Sequence, residues 1–119
     1  MPSSLTHRQQ AQHNEEFIAS FDLDSTPYLD WVVTAIFYAA LHFVDSYLAT
    51  KGVHLSSHRG RDSLIWAVRD LRPIYSAYRR LKHRSEQARY DAIPFSNEQV
   101  RELLDRDLAS IKVHLASLS

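Results

Sequence analysis

The sequence predicts an all-α protein, specifically an antiparallel four-helix bundle with one additional short helix. Glycine and proline are scarce, with two and four copies in 119 residues, and a sheet joined by many tight turns needs more of both. Apolar residues instead recur at helical spacing in long segments. The loops between these segments are short, which favours antiparallel packing of neighbouring helices. A chain of this length suits one domain, so we expect residues 1–119 to form a single bundle.

Composition places the chain among ordinary folded proteins. Hydrophobic residues make up 45% and charged residues 24%, which argues against a disordered chain. There is no cysteine, which excludes disulfides, thiolate catalysis and cysteine-ligated zinc. The first residues lack the basic and apolar regions of a secretory signal, so we predict a cytoplasmic protein. The longest apolar run is shorter than the roughly 20 residues of a membrane span, and we expect no membrane association.

The first predicted helix is mostly polar. It begins between Ser4 and Thr6 and ends by Phe21, with Thr6 and Gln9 spaced as a capping box. Apolar residues appear only near its end. We therefore expect its front half to face solvent or a partner.

The second predicted helix, from about Tyr28 to Lys51, is apolar on nearly all sides. Pro27 precedes it, and Gly52 is a natural residue to end it. A helix of this kind has to be covered on nearly all sides. Because one small bundle offers limited cover, we predict that part of this helix lies in the interface of a two-fold symmetric homodimer.

Three more helices are predicted in the second half of the chain. The first is short, the second opens with a proline at its first turn, where a missing N–H costs nothing, and the third starts with a serine and a glutamine spaced as a capping box. Their ranges are 57–71, 73–90 and 96–118.

A line of polar residues crosses the apolar second helix. Asp30, Thr34, Tyr38 and His42 follow one another at four-residue steps, and Asp45 comes three residues later. We predict that Asp45 accepts a hydrogen bond from the His42 imidazole and fixes its tautomer. Two interpretations stay open: an oriented general base or phosphate contact, or a buried histidine that is satisfied by its neighbours and has no chemical role.

Positive charge is concentrated between residues 58 and 91, with nine lysines and arginines against four acidic residues in a chain of zero net charge. Arginine binds phosphate through two parallel hydrogen bonds, and tyrosine stacks on bases, so this segment fits a nucleotide or RNA. A solvated helix face with local ion pairs, or a surface for an acidic protein, explains the same charges. The predicted nucleotide- or RNA-binding residues are Arg59, Arg79, Arg80, Arg84, Arg89 and Tyr90.

Neither a metal site nor a cofactor is predicted. His54 and His58 have a helical ligand spacing of four, but they fall in a segment with loop character and no third ligand is evident. Glycine-rich phosphate loops, GxSxG and HExxH are all absent from the sequence. We therefore expect no bound metal.

Three segments carry a likeness to a known family: HNEEF, DWVVTAIFYAALHFVDSYLATKGVHLSSHRGR and YRRLKHRSEQARYD. They resemble the HEPN superfamily of small all-helical proteins over residues 13–115. The resemblance implies a bundle that dimerises and, in many members, a metal-independent RNase built on an R-x4-6-H motif of a late helix. Other members bind nucleotides or are inactive, and stand beside nucleotidyltransferase-like antitoxins.

This chain departs from that motif on its late helix. Six residues after Arg84 stands Tyr90 in place of a histidine, and only three residues separate Arg79 from His83. The departure affects nuclease activity and not the fold, because the fold depends on packing and the activity on particular side chains.

From the residues and the resemblance together we expect a HEPN-like homodimer that binds a nucleotide, RNA or a protein such as a nucleotidyltransferase-like partner, in a toxin–antitoxin or defence setting. One alternative is a divergent metal-independent RNase in which His42 or His58 replaces the missing histidine. Another is a purely structural bundle that binds a protein partner. The candidate catalytic residues are Tyr38, His42, Asp45 and His58.

Overall fold

The computed structural model describes residues 2–118, which are helical with connecting loops and contain no strand. The all-α prediction is confirmed. The helical segments are α1 (Ser4–Ala19), α2 (Leu29–Thr50), α3 (His58–Ala67), a 3-10 turn (Arg72–Ile74), α4 (Tyr75–Tyr90), α5 (Asn97–Glu102), a π-helical segment (Leu103–Leu108) and α6 (Ala109–Ser117). The 3-10 turn runs directly into α4, and the last three segments follow one another directly, so five helical stretches result.

The two predicted capping boxes have different outcomes. Ser96 and Gln99 form theirs at the start of α5, each side chain bonding the other residue's backbone N–H. The box predicted at Thr6 and Gln9 is wrong. Ser3 caps α1 instead, and its hydroxyl accepts a hydrogen bond from the backbone N–H of Thr6 at 3.1 Å. With an earlier cap available, Thr6 lies inside the first turn.

The third helix is shorter than predicted and ends at Ala67. Val68 leaves the helical conformation, with ψ of 119°, and its carbonyl accepts hydrogen bonds from the N–H groups of Leu71 and Arg72. This turn carries Leu71, which is fully buried, into the core. Pro73 then lies in the 3-10 turn that precedes α4, and not in the α-helix itself.

The core is built around α2, which packs against α1, α4 and the C-terminal stretch. Its buried apolar residues are Val32, Val33, Ile36, Phe37, Ala39, Ala40, Leu41, Val44 and Leu48. Among the large apolar side chains of α2, Trp31 alone is exposed, because α1 covers much of the remaining surface. Most of the apolar surface from which the homodimer was predicted is therefore covered within the chain. The homodimer itself stays a prediction.

Length and composition would also allow α2 to cross a membrane, and within residues 2–118 it is the one helix of which this holds. The mean hydropathy of its most apolar stretch is 1.5, and 67% of that stretch is buried inside the protein. Core helices of folded proteins share these properties. The burial favours the core-helix interpretation.

A buried ion pair joins α2 to α3. Arg61 Nε lies 2.8 Å from Asp45 Oδ1, and Arg61 Nη2 lies 3.0 Å from Asp45 Oδ2. Both side chains are more than nine-tenths buried. Arg61 also donates to the carbonyls of Leu55 and Ser57, so it holds the loop before α3 against α2. The predicted hydrogen bond from His42 to Asp45 is wrong, because Asp45 binds Arg61 while the imidazole of His42 faces His7 instead.

Replacing Asp45 with alanine is expected to lower the free energy of unfolding by about 3–5 kcal/mol, because it leaves the buried Arg61 charge without a partner. Urea unfolding followed by circular dichroism measures the change. Asp24→Ala is the matched control, since Asp24 pairs with Arg101 at the surface and should leave the midpoint nearly unchanged. Equal midpoints for the two variants would contradict the structural role of the buried pair.

Candidate anion-binding site

The side chain of Arg89, near the end of α4, is held among hydroxyl groups. Its Nη1 donates to Tyr38 Oη at 3.0 Å and to Tyr90 Oη at 3.3 Å. Its Nε and Nη2 donate to the carbonyl and the hydroxyl of Ser85, each at 3.3 Å. The guanidinium carbon lies 5.5 Å from the centre of the Tyr38 ring and 4.9 Å from that of Tyr90. Two aromatic rings and three hydroxyls thus surround one positive charge.

Helical spacing explains how α4 supplies this group. Lys82, Ser85 and Arg89 follow at steps of three and four residues, so they share one face of the helix. That face meets Tyr38 of α2 and lies near His58, the first residue of α3, whose ring centre is 6.5 Å from that of Tyr38. We call Tyr38, His58, Ser85, Arg89 and Tyr90 the Arg89 cluster.

Arg89 is half-buried and forms no ion pair with any carboxylate in residues 2–118. The other predicted binding arginines of α4 differ. Arg79 lies 2.6 Å from Asp62, which Lys82 also contacts. Arg80 donates to both oxygens of the buried Asp107. Internal carboxylates therefore offset the charges of Arg79 and Arg80, whereas the charge of Arg89 is not offset.

Three other predicted binding residues remain accessible. Arg59 is exposed, and its side chain forms no hydrogen bond or ion pair with residues 2–118. Arg84 is half-buried and donates to the side-chain oxygen of Gln87 at 3.0 Å. Tyr90 has 73% of its surface exposed, which leaves much of its ring open to a ligand. Of these three, only Tyr90 contacts Arg89.

The pKa of His58 is lowered from its ordinary value. Partial burial is the largest cause, and the positive charges of Arg61, Lys82 and Arg89 act in the same direction, while Asp62 opposes them. A lowered pKa favours the neutral imidazole at neutral pH. Neutral imidazole both donates and accepts hydrogen bonds, so His58 is suited to hold or move a proton beside a cation.

His42 lies elsewhere and has a different partner from the predicted one. Its Nδ1 is 3.1 Å from Nδ1 of His7 on α1, a contact that requires at least one of the two rings to be neutral. Burial is the main cause that lowers the pKa of His42, and the neighbouring His7 adds to it. The polar line of α2 therefore divides: Tyr38 joins the Arg89 cluster, whereas His42 binds α1.

Two residues that form these contacts, Ser85 and His7, were not predicted from the sequence. Ser85 stands four residues before Arg89, and helical spacing alone identifies it as a neighbour. His7 is 35 residues from His42, and no local pattern connects them. Only the packing of α1 on α2 reveals that second contact.

The histidine pair considered for metal binding lacks the expected geometry. His58 begins α3, and His54 lies in the loop before it, so the spacing of four does not place them on one helical face. In the part of the chain that the structure describes, no group of three or more histidine, aspartate or glutamate side chains is placed to hold a metal ion.

Stability is expected to fall as the pH drops below about 6.5, the ordinary pKa of histidine. The pKa of His42 is lowered in the folded protein, so the unfolded chain takes up more protons in this window. Urea midpoints measured between about pH 7.5 and 5 should fall less steeply for His42→Gln than for the parent. The urea midpoint of His42→Gln should still fall to some extent with decreasing pH, because the pKa of His58 is lowered too. His83→Gln, at an exposed position, should follow the parent; identical slopes for all three proteins would contradict the prediction.

No family model matches this chain, and no curated protein or solved structure is significantly similar to it. The likeness to HEPN proteins thus remains a resemblance of sequence pattern. Evidence for function therefore comes from the side chains themselves.

Proposed function

We propose that this protein binds single-stranded RNA and that the Arg89 cluster holds a backbone phosphate. The observation that carries the proposal is the half-buried charge of Arg89, which two tyrosine hydroxyls position and no carboxylate offsets. A half-buried positive charge without a carboxylate partner attracts an anion from solution. Oriented guanidinium groups are the usual partners of phosphate in proteins.

The hydroxyls extend the anion site beyond the guanidinium. Tyr38 Oη accepts a hydrogen bond from Arg89, so its own hydrogen is free to donate to a phosphate oxygen. The hydroxyl of Tyr90 is in the same situation. A neutral His58 adds a ring N–H donor close by. The cluster thus offers several donors and a single uncompensated charge.

Exposed aromatic surface favours nucleic acid over an acidic protein as the ligand. Tyr90 is largely exposed and Arg89 lies 4.9 Å from its ring centre, a pair of the kind on which unpaired bases stack. An acidic peptide would use the charge but not the ring face. Binding to an acidic protein remains the outcome if RNA is not bound.

We further propose the finer architecture on sequence grounds. The three segments that resemble HEPN proteins support a HEPN-like antiparallel bundle, a homodimer and a nucleotidyltransferase-like partner. In a two-fold dimer each copy would contribute its own Arg89 cluster. The cytoplasmic location is proposed from the composition of the chain.

A second candidate function, a metal-independent RNase, is favoured by the lowered pKa of His58 next to Arg89. Neutral His58 would take the proton of a ribose 2′-hydroxyl, and the resulting oxygen would attack the adjacent phosphorus. The bond to the 5′ oxygen would break, and that oxygen would take a proton from water. Arg89 would stabilise the charge that develops on the phosphate oxygens.

Replacing Arg89 with alanine is expected to weaken the binding of a single-stranded RNA oligonucleotide about tenfold or more, because a charged hydrogen-bond donor is lost. The slope of log affinity against log salt should fall by about 1. Fluorescence anisotropy at several salt concentrations measures both quantities. Arg101→Ala removes an equal charge from α5, where Asp24 offsets it, and should leave both nearly unchanged. Equal losses in the two variants would show that only the total charge matters.

A fluorophore–quencher RNA incubated with the protein in EDTA distinguishes binding from cleavage. We expect binding without cleavage, because the R-x4-6-H motif is missing from the late helix. Cleavage that is lost in His58→Ala and retained in His83→Ala would instead establish the RNase. His83→Ala is the matched control because His83 is an exposed histidine of α4, the helix that carries Arg89, and is not a member of the Arg89 cluster.

A further inference from the structure

A groove runs between α1 and α2, and one member of the Arg89 cluster, Tyr38, belongs to its lining. Its volume is about 360 Å³, within the range of small-ligand sites. Phe17 of α1 belongs to its lining, as do Trp31, Tyr38 and His42 of α2. Gln10 and Asn14 add polar atoms from α1. The groove therefore combines apolar ring surface with a polar rim.

Trp31 presents an exposed ring on which a base can stack. Its exposure is 57%, and it forms no ring contact with another aromatic side chain in residues 2–118. Trp66 is equally exposed at 55%, but its ring centre lies 5.1 Å from that of Tyr75 and 5.1 Å from the guanidinium of Arg72. Trp66 therefore already has a ring partner and a cation partner within the protein, whereas Trp31 has neither in residues 2–118.

Tyr38 connects the groove to the proposed phosphate site. Its ring lines the groove, while its hydroxyl accepts the hydrogen bond from Arg89. Trp31 and Tyr38 are seven residues apart on α2, which is two helical turns or about 10 Å. A short stretch of single-stranded RNA can bridge that span. One RNA strand could thus place a phosphate on Arg89 and a base on Trp31.

We propose that the groove between α1 and α2 is a nucleobase subsite, in which an unpaired base of the bound RNA stacks on Trp31 while a nearby phosphate contacts Arg89. The inference rests on the proposed RNA-binding function and adds to it the requirement for an unpaired base. The polar rim suits a base edge: Gln10 Nε2 donates to Asn14 Oδ1 at 3.2 Å, which leaves the Asn14 amide N–H groups and the Gln10 oxygen free.

An unpaired base is required because a base inside a duplex has both faces stacked on its neighbours. A duplex still presents phosphates to Arg89. Duplex RNA is therefore expected to bind weakly through its backbone, without contact to Trp31. Comparing duplex with single-stranded RNA therefore distinguishes base binding in the groove from phosphate binding at Arg89.

The chain has two tryptophans, so single substitutions report on each by fluorescence. In Trp66→Phe the emission comes from Trp31, and we expect single-stranded RNA to quench it while a duplex of the same sequence does not. In Trp31→Phe the emission comes from Trp66 and should not respond. Trp31→Ala should bind single-stranded RNA roughly tenfold more weakly than the parent, whereas Trp66→Ala should match it. Circular dichroism checks that each variant is folded.

The outcomes separate this inference from the function on which it rests. If Arg89→Ala loses RNA affinity while Trp31 is not quenched and Trp31→Ala binds as the parent does, the nucleobase subsite is wrong and the RNA-binding function stands. Quenching of Trp31 by duplex and single strand alike would also overturn the subsite. If the parent binds no single-stranded RNA, both proposals fall.

Discussion

The buried ion pair between Asp45 and Arg61 is the interaction on which the arrangement of the other parts depends. It joins the C-terminal third of α2 to the first turn of α3 and, through the carbonyls of Leu55 and Ser57, fixes the loop between them. Neither charge can remain in the core without the other, because the desolvation of a lone charge costs several kcal/mol. The pair thereby holds His58, at the start of α3, next to the aromatic surface of α2.

The basic residues of α4 divide into two groups according to what they face. Asp62 and Asp107, on α3 and the π-helical segment, offset the charges of Arg79, Lys82 and Arg80. These contacts tie three parts of the bundle together. Arg89 faces hydroxyls and rings instead. A hydroxyl orients a guanidinium without neutralising it, so the charge remains available to an outside anion. The number of basic residues in the sequence therefore overestimates how many positive charges are available to a ligand.

Phosphate binding and RNA cleavage would use the same groups here and differ in one requirement. Binding needs Arg89, the tyrosine hydroxyls and an aromatic face for bases. Cleavage also needs a neutral base within reach of a ribose hydroxyl, and His58 is the group in the cluster with that capacity. His42, the other candidate catalytic histidine, contacts His7 and joins α1 to α2. Its effect is expected on stability and not on catalysis.

Local patterns in the sequence determined which segments are helical and the capping box at Ser96, since helical spacing and backbone capping involve residues a few positions apart. They also identified Tyr38, His58, Arg89 and Tyr90 as candidates, but not which of them meet. Tertiary structure alone decided that Asp45 pairs with Arg61 and His42 with His7, and that Arg89 is left without a carboxylate. Side chains 16, 35 and 51 residues apart form these contacts. Helix packing determines which partner each of these side chains contacts, and the periodicity of the sequence does not predict that packing.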